Sequence, residues 1–252
     1  MAVSFHSLGS RLAAIVLCAG LAGMARAQQY RFRYYGTEDG LTNLAVKVLF
    51  QDRTGFLWAA TESGVFRYDG AQFRRYGPTE GVPQEVIVSL GEAPDGSVLA
   101  GCKGGLYQLQ DDHFIRLPLP GGGSVAGYSG IQSDGKGQTY IATESGLVVA
   151  ANAIGGGQPS FRLLSTPPAT GGPNAHGVFI ESDSVWYGCG ASLCRMNAGG
   201  VTVFGTKDGL PPEKWTCIRR DGSGNLWVND KRRFAVLRRG SQHFDASGAS
   251  FP

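Results

Sequence analysis

The sequence has few charged residues, and neither sign predominates. Only 17% of its 252 residues are Asp, Glu, Lys or Arg, with 23 basic against 20 acidic side chains. A chain this close to neutral lacks the basic excess that nucleic acids or anionic membrane surfaces attract, so neither partner is expected. Long apolar runs are also missing: residues 12–24 form a run of about 13, too short to span a bilayer comfortably. No transmembrane stretch follows it.

The N-terminal segment has the features of an export signal. Arg11 supplies a positive flank, the apolar run follows, and small residues stand at both ends of Ala25-Arg26-Ala27. This pattern predicts a signal peptide over 1–27 that is cleaved before Gln28, which exports the chain to the periplasm or beyond. An uncleaved anchor is the alternative. Removing Arg11 and Arg26 from the 23 basic residues leaves 21 against 20 acidic ones, a net charge of +1.

A repeat of about forty-one residues organises the rest of the chain. One large residue recurs in the same local frame, with steps of 41, 41, 46 and 41 residues. These marker residues are Trp58, Leu99, Tyr140, Trp186 and Trp227. The 39 glycines and 12 prolines show no collagen spacing and indicate many turns between short strands.

Each repeat unit is predicted to form four short strands. In the first, Val46, Val48 and Phe50 alternate along one face of a strand, and turns rich in Asp and Gly separate the segments that follow. Four antiparallel strands at this period make a propeller blade, which buries its faces only by stacking on its neighbours. A β-sandwich would not repeat one marker so evenly, and the coil of a β-solenoid is usually shorter.

The predicted fold is therefore all-β, a β-propeller of four-stranded antiparallel blades over 28–252, with about five blades. The units cover about 36–77, 77–117, 118–163, 164–204 and 205–252. Residues 30–36 resemble an outermost strand whose other three strands would come later, while 241–244 begins another. Two such strands would compete for one place, so we expect an incomplete ring and a fragment of a longer protein.

The units resemble the two-component regulator propeller repeat over roughly residues 30–244. Its pattern is an aromatic strand, an Asp-Gly-Leu loop, an apolar strand, Asp-x-x-Gly-x-Leu-Trp, and a Gly turn followed by an aromatic. The first unit has it as Tyr-Gly-Thr-Glu-Asp-Gly-Leu at 35–41, Asp-Arg-Thr-Gly-Phe-Leu-Trp at 52–58 and Gly-Val-Phe at 64–66. The last has it as Phe-Gly-Thr-Lys-Asp-Gly-Leu at 204–210 and Asp-Gly-Ser-Gly-Asn-Leu-Trp at 221–227.

The three middle units depart from this pattern. The second is a weaker copy with Leu99 in place of Trp, the third and fourth lack the Asp-Gly-Leu loop, and Ser192 replaces the turn glycine of the fourth. The resemblance implies a periplasmic sensor propeller followed by a small β-sandwich, a membrane helix and a cytoplasmic histidine kinase or diguanylate cyclase. It also implies an inner-membrane anchor and a homodimeric full-length receptor.

The loops of one propeller face are where a ligand is expected to bind. The Asp-Gly-Leu loop and the turn between the second and third strands should lie at the same end of each blade, around the central channel. The charged candidates there are Asp39, Glu62, Glu80, Lys103, Glu144, Lys207, Asp208 and Lys231. A charged sugar, a peptide or a partner domain would suit this mixture. Alternatively, Asp39 and Asp208 cap their own turns, and Gly40 and Gly209 permit those turns.

Other conspicuous residues favour structural roles. Trp58, Tyr140, Trp186 and Trp227 are expected to wedge neighbouring sheets together rather than to stack on a ligand. Cys189 and Cys194 face each other across a predicted hairpin, where a disulfide is plausible in an oxidising compartment. Cys102 and Cys217 are expected to be small buried residues.

The sequence contains no recognisable catalytic pattern. His113, His176 and His243 are scattered without metal-ligand spacing, and no paired carboxylates, nucleophile elbow or phosphate loop occurs. Only His176 remains a candidate for a catalytic role, because it falls on the innermost strand of the fourth unit. We therefore expect a non-enzymatic input module that senses a small molecule, saccharide or protein and has no metal or cofactor. The alternatives are a secreted propeller lyase or hydrolase, and a passive protein-binding scaffold.

Overall fold

The computed structural model describes residues 32–151, 159–164 and 172–246. The predicted signal peptide and its cleavage site lie outside these residues. Within the described part of the chain, no helix is long and apolar enough to cross a membrane.

Five four-stranded antiparallel sheets follow one another along the chain, each in sequential strand order. The first contains β1 (Val46–Gln51), β2 (Leu57–Thr61), β3 (Gly64–Tyr68) and β4 (Phe73–Tyr76). The second contains β5 (Ser89–Glu92), β6 (Val98–Cys102), β7 (Gly105–Gln110) and β8 (His113–Leu117). The third contains β9 (Ile131–Ser133), β10 (Gln138–Thr143), β11 (Gly146–Ala151) and β12 (Ser160–Leu163). The fourth contains β13 (Ala175–Glu181), β14 (Ser184–Cys189), β15 (Ser192–Asn197) and β16 (Gly200–Phe204). The fifth contains β17 (Cys217–Arg220), β18 (Leu226–Asn229), β19 (Phe234–Leu237) and β20 (Phe244–Asp245). Short 3-10 turns lie at Thr37–Asp39, Pro78–Glu80, Pro120–Gly122 and Thr206–Asp208.

Consecutive sheets stack face to face, as blades of a propeller do. The innermost strands of neighbours are in contact, β1 with β5, β5 with β9, β9 with β13 and β13 with β17. One apolar cluster fills each gap: Trp58, for example, packs with Ile87 and Phe114 of the next blade, and Trp186 with Ile218 and Phe244. Because the middle strands are sandwiched between sheets, β6 is buried throughout. The predicted β-propeller is confirmed.

The fifth sheet differs from the others in the exposure of its marker residue, Trp227. Trp58, Trp186 and Tyr140 are 1%, 2% and 8% exposed, whereas Trp227 is 42% exposed. Among the described strands, no contact comparable to those between consecutive innermost strands joins β17 to β1. The face of the fifth sheet that carries Trp227 is therefore partly open.

Residues 32–36, the described part of the N-terminal strand expected over 30–36, form no strand, and the later blade that it would complete is not among the five sheets. Each sheet is completed by an outermost strand from its own repeat, and the last is completed by β20. Every third strand of the five described sheets has a partner on its outer side, so the expected strand exchange stays a prediction about a further blade.

Each loop that leads into a blade contacts the outermost strand of that blade before it reaches the innermost strand. A Cβ atom on Gly40 would lie 2.3 Å from the carbonyl oxygen of Phe73 in β4, and one on Gly81 would lie 2.2 Å from that of Phe114 in β8. Gly40 has a φ of 89° and Gly81 one of 79°, in the left-handed region. Only glycine combines that conformation with so close an approach. The chain then crosses the blade before it enters the innermost strand.

Candidate functional site

Three of the eight charged candidates cap their own turns. Asp39, Glu80 and Asp208 each accept a hydrogen bond from the backbone N–H three residues earlier, at 3.0, 2.7 and 2.9 Å. At Glu80, this bond and another from the Thr79 hydroxyl hold the pKa of the carboxyl below its ordinary value. The turns lie against outermost strands, at the rim rather than at the central channel where they were expected. These carboxylates stabilise the loops.

The remaining five candidates are distributed around the propeller. Glu62 forms an ion pair with Lys47 of β1, with 2.7 Å between Nζ and Oε1. The other four side chains are exposed and belong to loops of the second, third and fifth sheets; they are Lys103, Glu144, Lys207 and Lys231. The eight residues are thus spread over loops of the first, second, third and fifth sheets, and none of them lines either cavity described below.

The marker aromatics are tied to the turn that precedes them. The indole Nε1 of Trp58 donates to the carboxylate of Asp52 at 2.7 Å, and that of Trp227 donates to Asp221 at 2.8 Å. In the fourth sheet, Trp186 donates to Glu181 at 2.9 Å. The Asp-x-x-Gly-x-Leu-Trp motif therefore joins a turn to the middle strand through one hydrogen bond.

The Asp52 carboxylate accepts several further hydrogen bonds within this turn. It accepts from the backbone N–H groups of Thr54 and Phe56, both at 3.0 Å, and from the Thr54 hydroxyl at 2.6 Å. Burial acts to raise the pKa of Asp52, but these hydrogen bonds outweigh it and the pKa is lowered. In the exposed copy, the bonds from Trp227 and Asn225 lower the pKa of Asp221 to about 2.

Two of the four cysteines described by the structure are joined. Cys189 and Cys194 form a disulfide across the hairpin of β14 and β15, with their Cα atoms 5.8 Å apart. Cys102 is buried and Cys217 is half-buried, and both are free thiols. Burial raises the pKa of the Cys102 thiol, which keeps it protonated and unreactive.

His176 is a buried titratable residue on β13, paired in register with Gly188. It is 7% exposed, and its Nε2 has no hydrogen-bond partner among the described residues. Burial lowers the pKa of the imidazole, the nearby Lys214 lowers it further, and Glu144 opposes them. Throughout residues 32–151, 159–164 and 172–246, no group of three or more His, Cys, Asp or Glu side chains could hold a metal ion.

Two neighbouring cavities are lined by the innermost strands. A larger cavity of about 660 Å³ lies on the side of the Asp-x-x-Gly turns and includes Arg53, Glu92 and Asp134. A smaller one of about 180 Å³ is lined from all five innermost strands or the loops beside them, and includes Tyr128 and Arg219. Phe50, Ile131 and Gln132 line both. Arg219 was not among the candidates predicted from the sequence, although its charge at a position that is uncharged in the other four repeats was a signal.

No protein-family model matches this chain, and no curated protein matches it. Solved structures share its fold. The extracellular domain of BT3049 from B. thetaiotaomicron, a protein assigned as a hybrid two component system, aligns with a TM-score of 0.69 at 21% identity. That alignment covers 88% of this chain and 32% of the other. The extracellular domain of BT4673 from B. thetaiotaomicron, assigned as a one component system, aligns at 0.66 and 16% identity, over 89% of this chain and 34% of the other.

A more distant likeness is to a structure assigned as a gluconolactonase, with a TM-score of 0.52 and 12% identity, over 81% of this chain and 75% of that one. The chain spans about a third of the length of the two extracellular domains. At these identities the comparisons show the fold and leave the activity open. The resemblance expected from the repeats is confirmed at that level: this chain is a β-propeller like those in the extracellular domains of bacterial two-component systems.

Proposed function

We propose that this chain is an exported binding propeller at the input end of a bacterial signalling receptor. The observation that carries the proposal is the likeness of its five blades to two extracellular domains of signalling systems, each about three times as long as the matched part. A propeller supplies a rigid ring whose loops and channel bind ligands, while separate segments transmit the signal. The ligand is a small molecule, a saccharide or a protein.

The open face of the fifth sheet supports a longer propeller. In the first, third and fourth sheets the marker aromatic is covered by the following blade, whereas Trp227 is 42% exposed. An aromatic at this place stabilises the fold through burial, and so its exposure marks a surface that another blade would cover. We infer that further blades of the same repeat pack there in the complete receptor, followed by an inner-membrane anchor and a kinase or diguanylate cyclase output domain that works as a dimer.

Two experiments test the proposal. The first is to read the coding DNA beyond the codon of Pro252, where we expect further repeats, a membrane helix and an output domain. The second is to fractionate cells that express the natural gene product with a C-terminal tag and to sequence its N-terminus. The expected result is a membrane-associated product whose mature chain begins at Gln28.

A stop codon directly after Pro252, together with a freely secreted product, would overturn the sensor function. The secreted lyase or hydrolase, or the passive scaffold, would then be the better hypothesis. Assays on polysaccharides and small cyclic substrates would separate those two.

A further inference from the structure

The smaller cavity of the central channel has apolar walls and one charged wall. Its apolar lining includes Leu90, Ile131 and Val178, one residue from each of three neighbouring innermost strands. Polar groups enter from Arg219 on β17 and from Tyr128 in the loop before β9. The phenol is 47% exposed. The cavity volume of about 180 Å³ is below the roughly 300 Å³ at which pockets for drug-sized ligands begin, so it suits a small molecule.

Arg219 is exceptional for its position in the repeat. The residue paired in register with the marker on the innermost strand is uncharged in the other four sheets. These residues are Phe50, Gly91, Gln132 and Phe179. Only the fifth sheet has a charge there, where Arg219 pairs with Trp227. The Arg219 side chain is exposed and lines the cavity, so a ligand that enters from solvent can reach its guanidinium.

The partners of Arg219 are neutral. One terminal nitrogen donates to the backbone carbonyl of Ile218 at 2.8 Å, and the other to the hydroxyl of Ser129 at 3.3 Å. Among the described residues, no carboxylate lies within ion-pair distance of this guanidinium, whereas Arg53 and Arg220 both have carboxylate partners. Arg219 therefore keeps donors for an anion that enters the cavity.

The charges near the two ends of the channel differ. Near the smaller cavity, Lys47 is paired with Glu62 and lies close enough to Tyr128 for the two to interact electrostatically, so Arg219 is left as the excess charge. In the larger cavity, Arg53 is paired with Glu92, and Asp134 leaves an excess negative charge. An anion is thus favoured at the smaller cavity rather than at the larger one.

We propose that the smaller cavity binds a small monocarboxylate with an apolar body. The carboxylate accepts two parallel hydrogen bonds from Arg219, and the body packs against Leu90, Ile131 and Val178. One guanidinium and apolar walls suit a singly charged carboxylate better than a phosphate, whose greater charge and hydration need more donors. The inference concerns the channel of the five described blades and goes beyond the proposed function, so it is tested on this chain alone.

The test is isothermal titration of the full chain with benzoate and, as a neutral probe of nearly the same shape, benzamide. We expect benzoate to bind at one site, and benzamide to bind at least about tenfold more weakly because it lacks the charge. Arg219→Gln should weaken benzoate binding by about tenfold or more, and Arg219→Lys should retain part of it, because lysine keeps the charge but not the fork. Arg232→Gln is the matched control. This exposed residue lies outside the cavity, and its replacement should leave the affinity for benzoate unchanged.

The inference is overturned if benzoate does not bind at millimolar concentration, if benzamide binds equally well, or if Arg219→Gln binds benzoate like the unchanged chain. Melting temperatures of all variants verify that they are folded, and Arg219→Lys remains informative if Arg219→Gln does not fold. The result is separate from that of the proposed function, which depends on the gene and on the location of its product. If the product were a secreted stand-alone chain that binds benzoate, the carboxylate site would be supported and the receptor function would be overturned.

Discussion

At the scale of the residue, the acidic side chain of the Asp-x-x-Gly turn is a structural anchor. Asp52 accepts four hydrogen bonds, one of them from the buried indole of Trp58. Replacing it by alanine leaves those donors without their acceptor. We expect Asp52→Ala to lower the free energy of unfolding by about 3 kcal/mol, as measured by urea denaturation.

The fifth sheet provides a matched control for this change. Asp221 makes the same turn and accepts from Trp227, but Asp221 is only half-buried and the indole is 42% exposed. Water can replace a lost acceptor there, so Asp221→Ala should cost less than Asp52→Ala. Equal losses for the two variants would show that burial of the indole does not set the strength of the anchor.

A second residue, His176, makes stability depend on pH. Because burial lowers its pKa in the folded chain, the unfolded chain takes up a proton more readily. The free energy of unfolding should therefore decline as pH falls below the ordinary value of 6.5 and level off only below the lowered folded value. Above pH 6.5 this contribution is constant.

Urea denaturation between pH 5 and 7.5 measures this decline. His176→Gln should flatten the curve in this window, and His113→Gln, which replaces an exposed histidine, is its control. A curve for His176→Gln parallel to that of the unchanged chain would assign the dependence to other groups.

At the scale of the element, the entry loops depend on glycine for a specific contact. Gly81 has a left-handed backbone, and its Cβ position lies 2.2 Å from the Phe114 carbonyl oxygen. Gly55 is also left-handed, with φ of 95°, but nothing lies within 4 Å of its Cβ position. Gly55→Ala should therefore cost only backbone strain, about 1 kcal/mol, and Gly81→Ala about 3 kcal/mol or more, because the loop must also move away from β8.

Thermal and urea unfolding of the two variants measures this difference. If Gly81→Ala lost no more stability than Gly55→Ala, the close approach of the entry loop to the outermost strand would not contribute to the fold.

The elements also show how far the sequence predicts the structure. The marker spacing and alternating strands predict the blades, because each blade is a local hairpin structure whose pairing follows the chain order. The strand expected at residues 30–36 is not formed in its described part, because a strand needs a partner and the blade expected to supply it is not among the five sheets. The position of Asp39 at the rim was likewise missed, because the path of an entry loop is set by contacts with a strand more than thirty residues later.

The candidate site was also predicted only in part, because it depends on contacts between distant residues. Loop charges were selected because loops on rigid scaffolds usually bind ligands, but Asp39, Glu80 and Asp208 satisfy their own backbone instead. The cavity that Arg219 lines appears only when all five innermost strands are placed together, because its lining residues come from different repeats. Repeat alignment would have marked it as the charged exception among five equivalent positions.

At the scale of the whole molecule, Trp227 reports whether the propeller continues. The four tryptophans differ sharply in exposure: Trp58, Trp186 and Trp215 are at most 2% exposed, while Trp227 is 42% exposed. Acrylamide should therefore quench mainly the emission of Trp227 in this chain. Trp227→Phe should remove most of the quenchable fluorescence, and it should cost less stability than Trp58→Phe, because less apolar contact is lost.

Quenching of Trp227 in the complete gene product then distinguishes an open fifth sheet from one that is covered by a further blade. If a further blade packs on the fifth sheet, Trp227 becomes as protected as Trp58, because both have the same position in the repeat. The difference in quenching between the unchanged protein and its Trp227→Phe variant should then be much smaller in the longer product than in this chain. Persistent quenching of Trp227 in a longer product that contains further repeats would contradict the packing of another blade on this face and would mark it as a surface for a different partner.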